Sequence, residues 1–379
     1  MAAPYQAPGV YREDVFIRPA APLPTGVPGF VGFGAASPGD AREPVLLQRV
    51  EEMAGRFLPD VASYLVDVVE GFFATGGLRC YVAGAPASND PEAALGRALD
   101  RLGPLADLDL IAMPDAMTLP QEAAQRVQGR AIRHCADQGN RFAILDAPRE
   151  ADPAGVARPI ASWRTQARAL ENAALYYPWV KVMAGDAGAT RAVPPCGHVA
   201  GVFARCDERV GVFKAPANEA LSGVLDLEFA VDSALQARLN PLGVNCLRAF
   251  AGRGMRVWGA RTLSADPGWR YVSARRVFLT LVRWIERNLA WAALEPNTPQ
   301  LWLRIQRELG AHLAGLWQAG ALQGASAAEA FYVKCDAETN PPEEREQGRV
   351  VTELGLATAL PAEFVVVRIV HREGTSRFS

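Results

Sequence analysis

The stretch 108–146, LDLIAMPDAMTLPQEAAQRVQGRAIRHCADQGNRFAILD, sets the fold class. Residues 108–113 form a short apolar run that reads as a strand, 121–137 reads as a helix, and 141–146 reads as a second apolar strand. A strand, a crossover helix and another strand form a βαβ unit, and near-continuous apolar strands belong to a parallel sheet covered on both faces. The pattern extends outward to strand candidates 30–36, 79–84 and 178–183 and to helix candidates 61–75, 162–175 and 196–207. Pro194, Pro195 and Gly197 open the last of these helices. The expectation is an α/β lobe over 30–218 with a mainly parallel sheet.

From about 219 the pattern turns to α+β. Residues 244–250 and 255–263 read as a hairpin joined by Gly252-Arg253-Gly254. A helix capped by Ser273 stops before Pro296, and a second starts at Thr298-Pro299, a cap followed by proline in the first turn, and ends near Gly320 or Gly324. Its Trp302, Ile305, Leu309, Leu313 and Leu316 recur at core spacing. Strand candidates 329–335, 349–356 and 363–371 close the chain. The predicted organisation is an N-terminal arm over 1–29, the lobe, a second domain over 219–361 and a C-terminal arm over 362–379.

Composition narrows the function. Thirty-nine basic residues against 41 acidic ones leave a net charge of -2, so the chain as a whole is not expected to bind nucleic acid. The cysteines at 80, 135, 196, 206, 246 and 335 contain no C-x-x-C pair and read as reduced, buried thiols. The opening residues lack the pattern of a signal peptide, and no run approaches the ~20 apolar residues of a membrane span. No membrane insertion is expected, and synthesis is expected in the cytoplasm.

No chemistry-bearing constellation stands out. Cys196-Gly197-His198 has no second ligand pair, His312 reads as a satisfied helix residue, and neither a G-x-S-x-G elbow nor a P-loop occurs. Gly252–Met255 lies between strands and does not open a helix, as a dinucleotide loop must. Asp107 and Asp109, just before an apolar strand, read as solvated loop residues. The expectation is no catalytic residue, metal or cofactor, and a structural role; the alternative is an α/β enzyme in a homo-oligomer.

The chain ends suggest how copies join. Prolines at 4, 8, 19, 22, 24 and 28 forbid a helix, yet 10–17 is strand-like, and 364–370 is a near-continuous apolar run. Such strands either fold back on their own lobe or add to a neighbour's sheet. In the second case Val10, Tyr11, Val15, Ile17, Phe364, Val366, Arg368 and Val370 lie on the donated strands. Distinct donor and acceptor surfaces then build an open helical assembly. On the helix that follows Ser273, Phe278, Val282, Ile285 and Leu289 share one face, with Arg276, Arg283 and Arg287 opposite. That arginine stripe is either a solvated face or a contact with an acidic partner.

Several blocks, in order along the chain, resemble contractile tail sheath proteins: Tyr5–Tyr11 with Thr25–Gly32, Leu239–Arg248, Gly252–Leu263 (GRGMRVWGARTL), Tyr271–Arg276, Lys334-Cys335-Asp336 with Asn340-Pro341-Pro342, and Pro361–Phe364. The family includes sheaths of phage tails, R-type bacteriocins and extracellular contractile injection systems. Cys196 and Cys246 depart from what such contexts lead one to expect. The resemblance implies a stack of hexameric rings around an inner tube, with the α/β lobe outward and a C-terminal sheath domain facing the tube. It also implies strand exchange by arms at 8–18 and 362–373, and baseplate and tail-terminator or cap proteins as further partners; with an inner tube as the acidic partner, the stripe Arg276, Arg283 and Arg287 is the expected tube contact, holding the extended form. Assembly in the bacterial cytoplasm in an extended state, then contraction that drives the tube through a target envelope, follows from the same likeness. A minor, baseplate-proximal isoform is a second possibility within the family.

Overall fold

The computed structural model describes residues 23–36, 43–60, 62–184, 188–361, 369–372 and 375–378. The βαβ unit of 108–146 lies at the centre of the fold. Its strands Leu110–Ala112 and Phe142–Asp146 pair in parallel, joined by the helix Gln121–Gln138. In chain order the elements around it are β1 (Pro28–Ala36), β2 (Val45–Leu47), α1 (Leu65–Ala74), β3 (Cys80–Ala85), α2 (Pro91–Asp100), β4 (Leu110–Ala112), α3 (Gln121–Gln138), β5 (Phe142–Asp146), α4 (Pro153–Trp163), β6 (Ala173–Tyr177), α5 (Cys196–Arg209), β7 (Glu219–Ala220), β8 (Val244–Phe250), β9 (Gly254–Trp258), α6 (Val272–Asn288), α7 (Pro299–Gln318), β10 (Phe331–Lys334) and β11 (Glu353–Leu356).

The main sheet runs β2-β3-β1-β4-β5-β6-β8-β9-β7, with Phe57–Pro59 paired to the end of β1. The six strands from β3 to β8 are mutually parallel. Alternation along them fills two layers. Phe30, Val82, Leu110, Phe142 and Ala174 meet Phe72 of α1 and Phe203 of α5, whereas Val31, Ala83, Ile111, Ala143 and Leu175 meet Leu95, Val127 and Ile160 of α2, α3 and α4. A smaller third core joins Trp302, Ile305 and Leu309 of α7 to Ile285, Leu289, Val333 and Leu354. All six cysteines are free and buried.

The α/β class holds, and several boundaries move. The apolar run 173–183 is not one strand beginning at 178. Pro178, which has no N–H to give a ladder, divides it into β6 of the main sheet and Val180–Ala184. The latter joins Ala189–Val193 and Asp226–Leu227 in a separate antiparallel sheet. The helix expected over 162–175 starts earlier, at Pro153, where Asp152 Oδ2 accepts from Gly155 N at 3.3 Å. The helix α2, absent from the sequence reading, opens on the same Asp-Pro signal: Asp90 Oδ1 accepts from Ala93 N at 3.0 Å. The hairpin β8–β9 does not open a new domain. It extends the lobe's sheet, because β8 lies parallel to β6. The structural unit therefore continues past the boundary expected at 218.

Among the parallel strands β1 lies between β3 and β4, so the chain reverses its direction of travel across the sheet at β1 and β4. The carboxyl ends of strands at such a switch point, together with the start of the following helix, form the usual anion site of open α/β sheets. Here Asp115 occupies it, fully buried. Its Oδ2 accepts from Phe33 N and from Ser63 Oγ at 2.6 Å each, and its Oδ1 accepts from Tyr64 N at 2.6 Å, just before α1. A methyl group on Gly32 would lie 2.4 Å from Asp115 Oδ2 and 2.5 Å from Leu65 Cγ. Asp146 terminates β5 on the same edge, and its Oδ1 accepts from Cys196 N at 3.0 Å.

Two outcomes follow. Gly32→Ala is expected to destabilise the chain by about 1–3 kcal/mol in urea denaturation, through overpacking against the Asp115 site. Burial pushes the Asp146 carboxyl up to about 7 from the ordinary 3.8. A carboxyl whose pKa is raised on folding contributes stability at low pH and loses it as pH rises through the folded value. Asp146→Asn should therefore match the parent chain below pH ~4 and melt at increasingly higher temperature than the parent as pH rises through ~7, in paired melts.

Candidate functional site

The helix α6 is where the lobe meets the C-terminal part. Val272, Arg276, Leu279 and Arg283 lie at helical spacing on one stripe, and all four are buried. Val272 and Leu279 pack into the lobe's core. Ile285 and Leu289, round the helix, pack into the third core. The stripe expected to face outward therefore faces inward, while Val282, expected inside, is 37% exposed. Arg276 and Arg283 are consequently not available to an inner tube, which corrects that expectation; Arg287 is exposed. The amphipathic assignment failed because it counted arginine as an outer residue, and here the lobe supplies buried carboxylates to receive it.

Asp207, near the end of α5, takes Arg276 in a two-pronged grip: Nη1 donates to Oδ1 at 2.7 Å and Nη2 to Oδ2 at 2.5 Å. The same Nη2 donates to Asp109 Oδ2 at 3.0 Å, and the guanidinium lies 5.0 Å from the Phe203 ring centre. Arg283 Nη1 sits 3.8 Å from Asp109 Oδ2, and Nη2 donates to Pro24 O at 2.7 Å and Asp107 O at 3.1 Å. Asp109 is thus a buried structural anion, not a solvated loop residue. Two cations and two anions balance. Burial works against the charge on Arg276, yet Asp207 and Asp109 outweigh it and hold its pKa above the ordinary value. Paired, bidentate contacts of this kind are strong, whereas an isolated buried charge costs several kcal/mol.

The junction also grips the root of the N-terminal arm. Asp109 accepts from Gly26 N at 3.1 Å and from Val27 N at 2.7 Å, while Thr25 donates its hydroxyl to Asp207. Gly26 has φ +67, and a Cβ there would lie 2.5 Å from Ala204 Cα, so only glycine fits. Residues 24–27 are therefore part of the body, although the sequence reading assigned them to the arm.

A second feature lies at the other end of the chain. β10 and β11 form a two-stranded antiparallel ribbon, with Phe331 opposite Leu356 and Lys334 opposite Glu353, and just past β11 an antiparallel bridge joins Thr358 to Leu322. No further strand pairs with either member among the described residues. Beside it runs a groove of about 810 Å³, lined in part by Ile285, Leu289, Leu294, Ile305, Val350 and Leu354. Tyr332 is 50% exposed on the ribbon. Of the expected donated positions, Val10, Tyr11, Val15, Ile17, Phe364, Val366 and Arg368 lie outside the described residues. Val370 falls in the strand Ile369–Arg372, which pairs with Thr375–Phe378 of the same chain.

The chemistry-bearing residues from the sequence do not converge. Cys196 is buried and its thiol is pushed well above the ordinary value, while burial lowers His198 to about 4 and keeps it neutral. His312 stacks on Trp284 with ring centres 4.0 Å apart. Among the described residues, no group of three or more His, Cys, Asp or Glu is placed to hold a metal ion, and no helix is long and apolar enough to cross a membrane.

Comparison with known proteins adds the following. The model of the phage tail sheath central domain matches residues 92–263, and that of the phage tail sheath C-terminal domain matches 264–372. The division at 263/264 falls between β9 and α6. A putative prophage major tail sheath protein of Pseudomonas aeruginosa (strain UCBPP-PA14) is 26% identical over 348 residues, covering 87% of this chain and 86% of that protein. A chain in the anti-feeding prophage (AFP) baseplate structure is 31% identical with a TM-score of 0.77, covering 97% of this chain and 99% of that one. A chain of the PVC sheath complex of an extracellular contractile injection system, in its contracted state, is 29% identical with a TM-score of 0.75, covering 98% and 99%.

If the junction holds the lobes together, Arg276→Met should cost roughly 3–5 kcal/mol in urea denaturation by stranding Asp207. Adding Asp207→Leu should recover most of that loss. A cost under about 1 kcal/mol for the single variant would mean that solvent, not the protein, compensates these charges.

Proposed function

The chain belongs to the phage tail sheath family, and from that premise we propose how its parts serve a contractile particle. It is a structural subunit of a contractile sheath, a component of a phage tail or tail-like particle. The reading offered beyond this is a stack of hexameric rings around an inner tube, assembled in the bacterial cytoplasm and bounded by baseplate and terminator or cap proteins. The subunit performs no catalytic step in this reading.

The observation that carries the proposal is the two-stranded ribbon β10–β11. A two-stranded ribbon is marginal alone and exposes unpaired N–H and C=O groups on both edges. The segments 10–17 and 364–370 have the strand-like, apolar composition that such edges accept. Added from neighbouring copies, they give each subunit a sheet completed by others, with main-chain hydrogen bonds joining copies largely independently of side chains. The groove beside the ribbon provides space for the side chains of an added strand. Donor and acceptor surfaces differ, which favours open stacking over a closed dimer.

Contraction then requires two packings of nearly rigid bodies joined by hinges that keep the exchanged strands paired. The buried junction makes the lobe, α6 and residues 24–27 one such body. Arg287, alone of the three arginines on the surface, is retained as the candidate tube contact. A baseplate-proximal minor isoform is the second reading, favoured by the likeness to a chain of the AFP baseplate structure; subunit stoichiometry in intact particles decides between the two.

Electron microscopy of the purified full chain is expected to show striated hollow cylinders; discrete compact oligomers would favour the enzyme alternative. Deleting residues 1–18 is expected to leave a chain with the same melting temperature that forms no cylinders. Intact cylinders from that truncation would remove the N-terminal arm from the assembly scheme.

A further inference from the structure

Next to the edge strand β7 of the main sheet, the hairpin β8–β9 turns through Ala251, Gly252 and Arg253, closed by Arg253 N donating to Phe250 O at 3.0 Å. Gly252 and Gly254 hold φ values of 71 and 69, so the turn has a defined shape. Three arginines crowd it. Arg248 and Arg256 lie directly opposite each other in register, and Arg253 sits at the tip. Like charges directly opposed across strands destabilise a ladder.

The fold does not neutralise them. Arg248 donates to Gln236 Oε1 at 2.8 Å and Ser233 Oγ at 3.3 Å. Arg253 donates to Asn218 Oδ1 at 2.9 Å, and Arg256 donates to Asn218 O at 2.7 Å and Arg253 O at 3.2 Å. Every strong partner is neutral, and among the described residues none of the three has a carboxylate within ion-pair distance. The guanidiniums are nevertheless held in place. Those of Arg248 and Arg253 lie 5.3 and 5.8 Å from the Phe250 ring centre, and that ring packs 4.5 Å from Trp258. Preorganised, uncompensated cations lose little entropy when an anion arrives.

The complementary sign is present on the same chain. From Glu329 to Glu353 there are seven carboxylates against three basic side chains. Glu338 and Glu344 are engaged by Lys334 and Arg349. Glu343 and Glu346 are exposed, with no basic partner among the described residues. With 39 basic and 41 acidic residues overall, the excess at the tip is balanced by surfaces such as this one. We propose that the Arg248–Arg253–Arg256 tip docks on the acidic face around Glu343 and Glu346 of a second copy. This contact rests on the sheath reading. It is heterologous, so it repeats head to tail along a stack. It acts mainly on the rate and specificity of docking and is weakened by salt.

The test is polymerisation of the full chain, followed by light scattering and electron microscopy. At about 0.1 M salt, Arg253→Glu is expected to slow polymerisation at least ~10-fold with an unchanged melting curve, while Arg253→Lys stays within ~2-fold of the parent. Combining Arg253→Glu with Glu343→Arg and Glu346→Arg in one chain is expected to restore the rate. Parental polymerisation by Arg253→Glu overturns the proposal. So does failure of the acidic reversals to restore it, or loss of duplex DNA binding as the only effect. If the parent chain forms no cylinders under any condition, the sheath reading falls; cylinders indifferent to Arg253→Glu remove this contact alone.

Discussion

A guanidinium taken out of water must bring its counter-charge with it, and the meeting of Arg276 with Asp207 and Asp109 is where this chain meets that demand. Because α6 carries the cations and the lobe carries the anions, neither can slide without uncovering charge. Arg283 extends the same arrangement to the backbone at Pro24 and Asp107. Three segments far apart in sequence are thereby made into one body. The third core, on the other side of α6, then inherits a fixed platform for α7 and the ribbon.

The lobe was legible wherever local pattern and tertiary environment agree. The apolar strands of 108–146 and the Thr298-Pro299 helix start lie where their sequences place them. The helices at Pro91 and Pro153 carry readable Asp-Pro caps, but their apolar spacing is too weak to mark them as helices. β6 was obscured because the apolar run 173–183 gives no internal sign of serving two sheets other than Pro178. The junction was beyond reach of periodicity: Arg276 meets partners 69 and 167 residues away. Nothing in the α6 sequence signals that its charged stripe is the buried one, and the usual rule that arginine stays outside pointed the wrong way. The family blocks were recognisable without any of this, since they record residue identity and not environment.

Asp115 has a related lesson. The chain has the strand order and the helix start that, in many α/β proteins, receive an anionic ligand, and it fills the place with its own carboxylate. Three donors converge on that side chain, and Gly32 leaves the space it needs. Fold class alone would invite an enzyme assignment. The occupied crevice shows why architecture and chemistry have to be argued separately.

A thiol that stays protonated and covered neither attacks a passing disulfide nor reacts readily with peroxide. Burial pushes Cys135 and Cys246 up to about 12 and Cys206 to about 11, and Cys80 and Cys196 higher still. In the proposed sheath of identical subunits, a stray covalent cross-link would tie neighbouring copies together. Sulfurs kept protonated and covered in this way are spared that reaction.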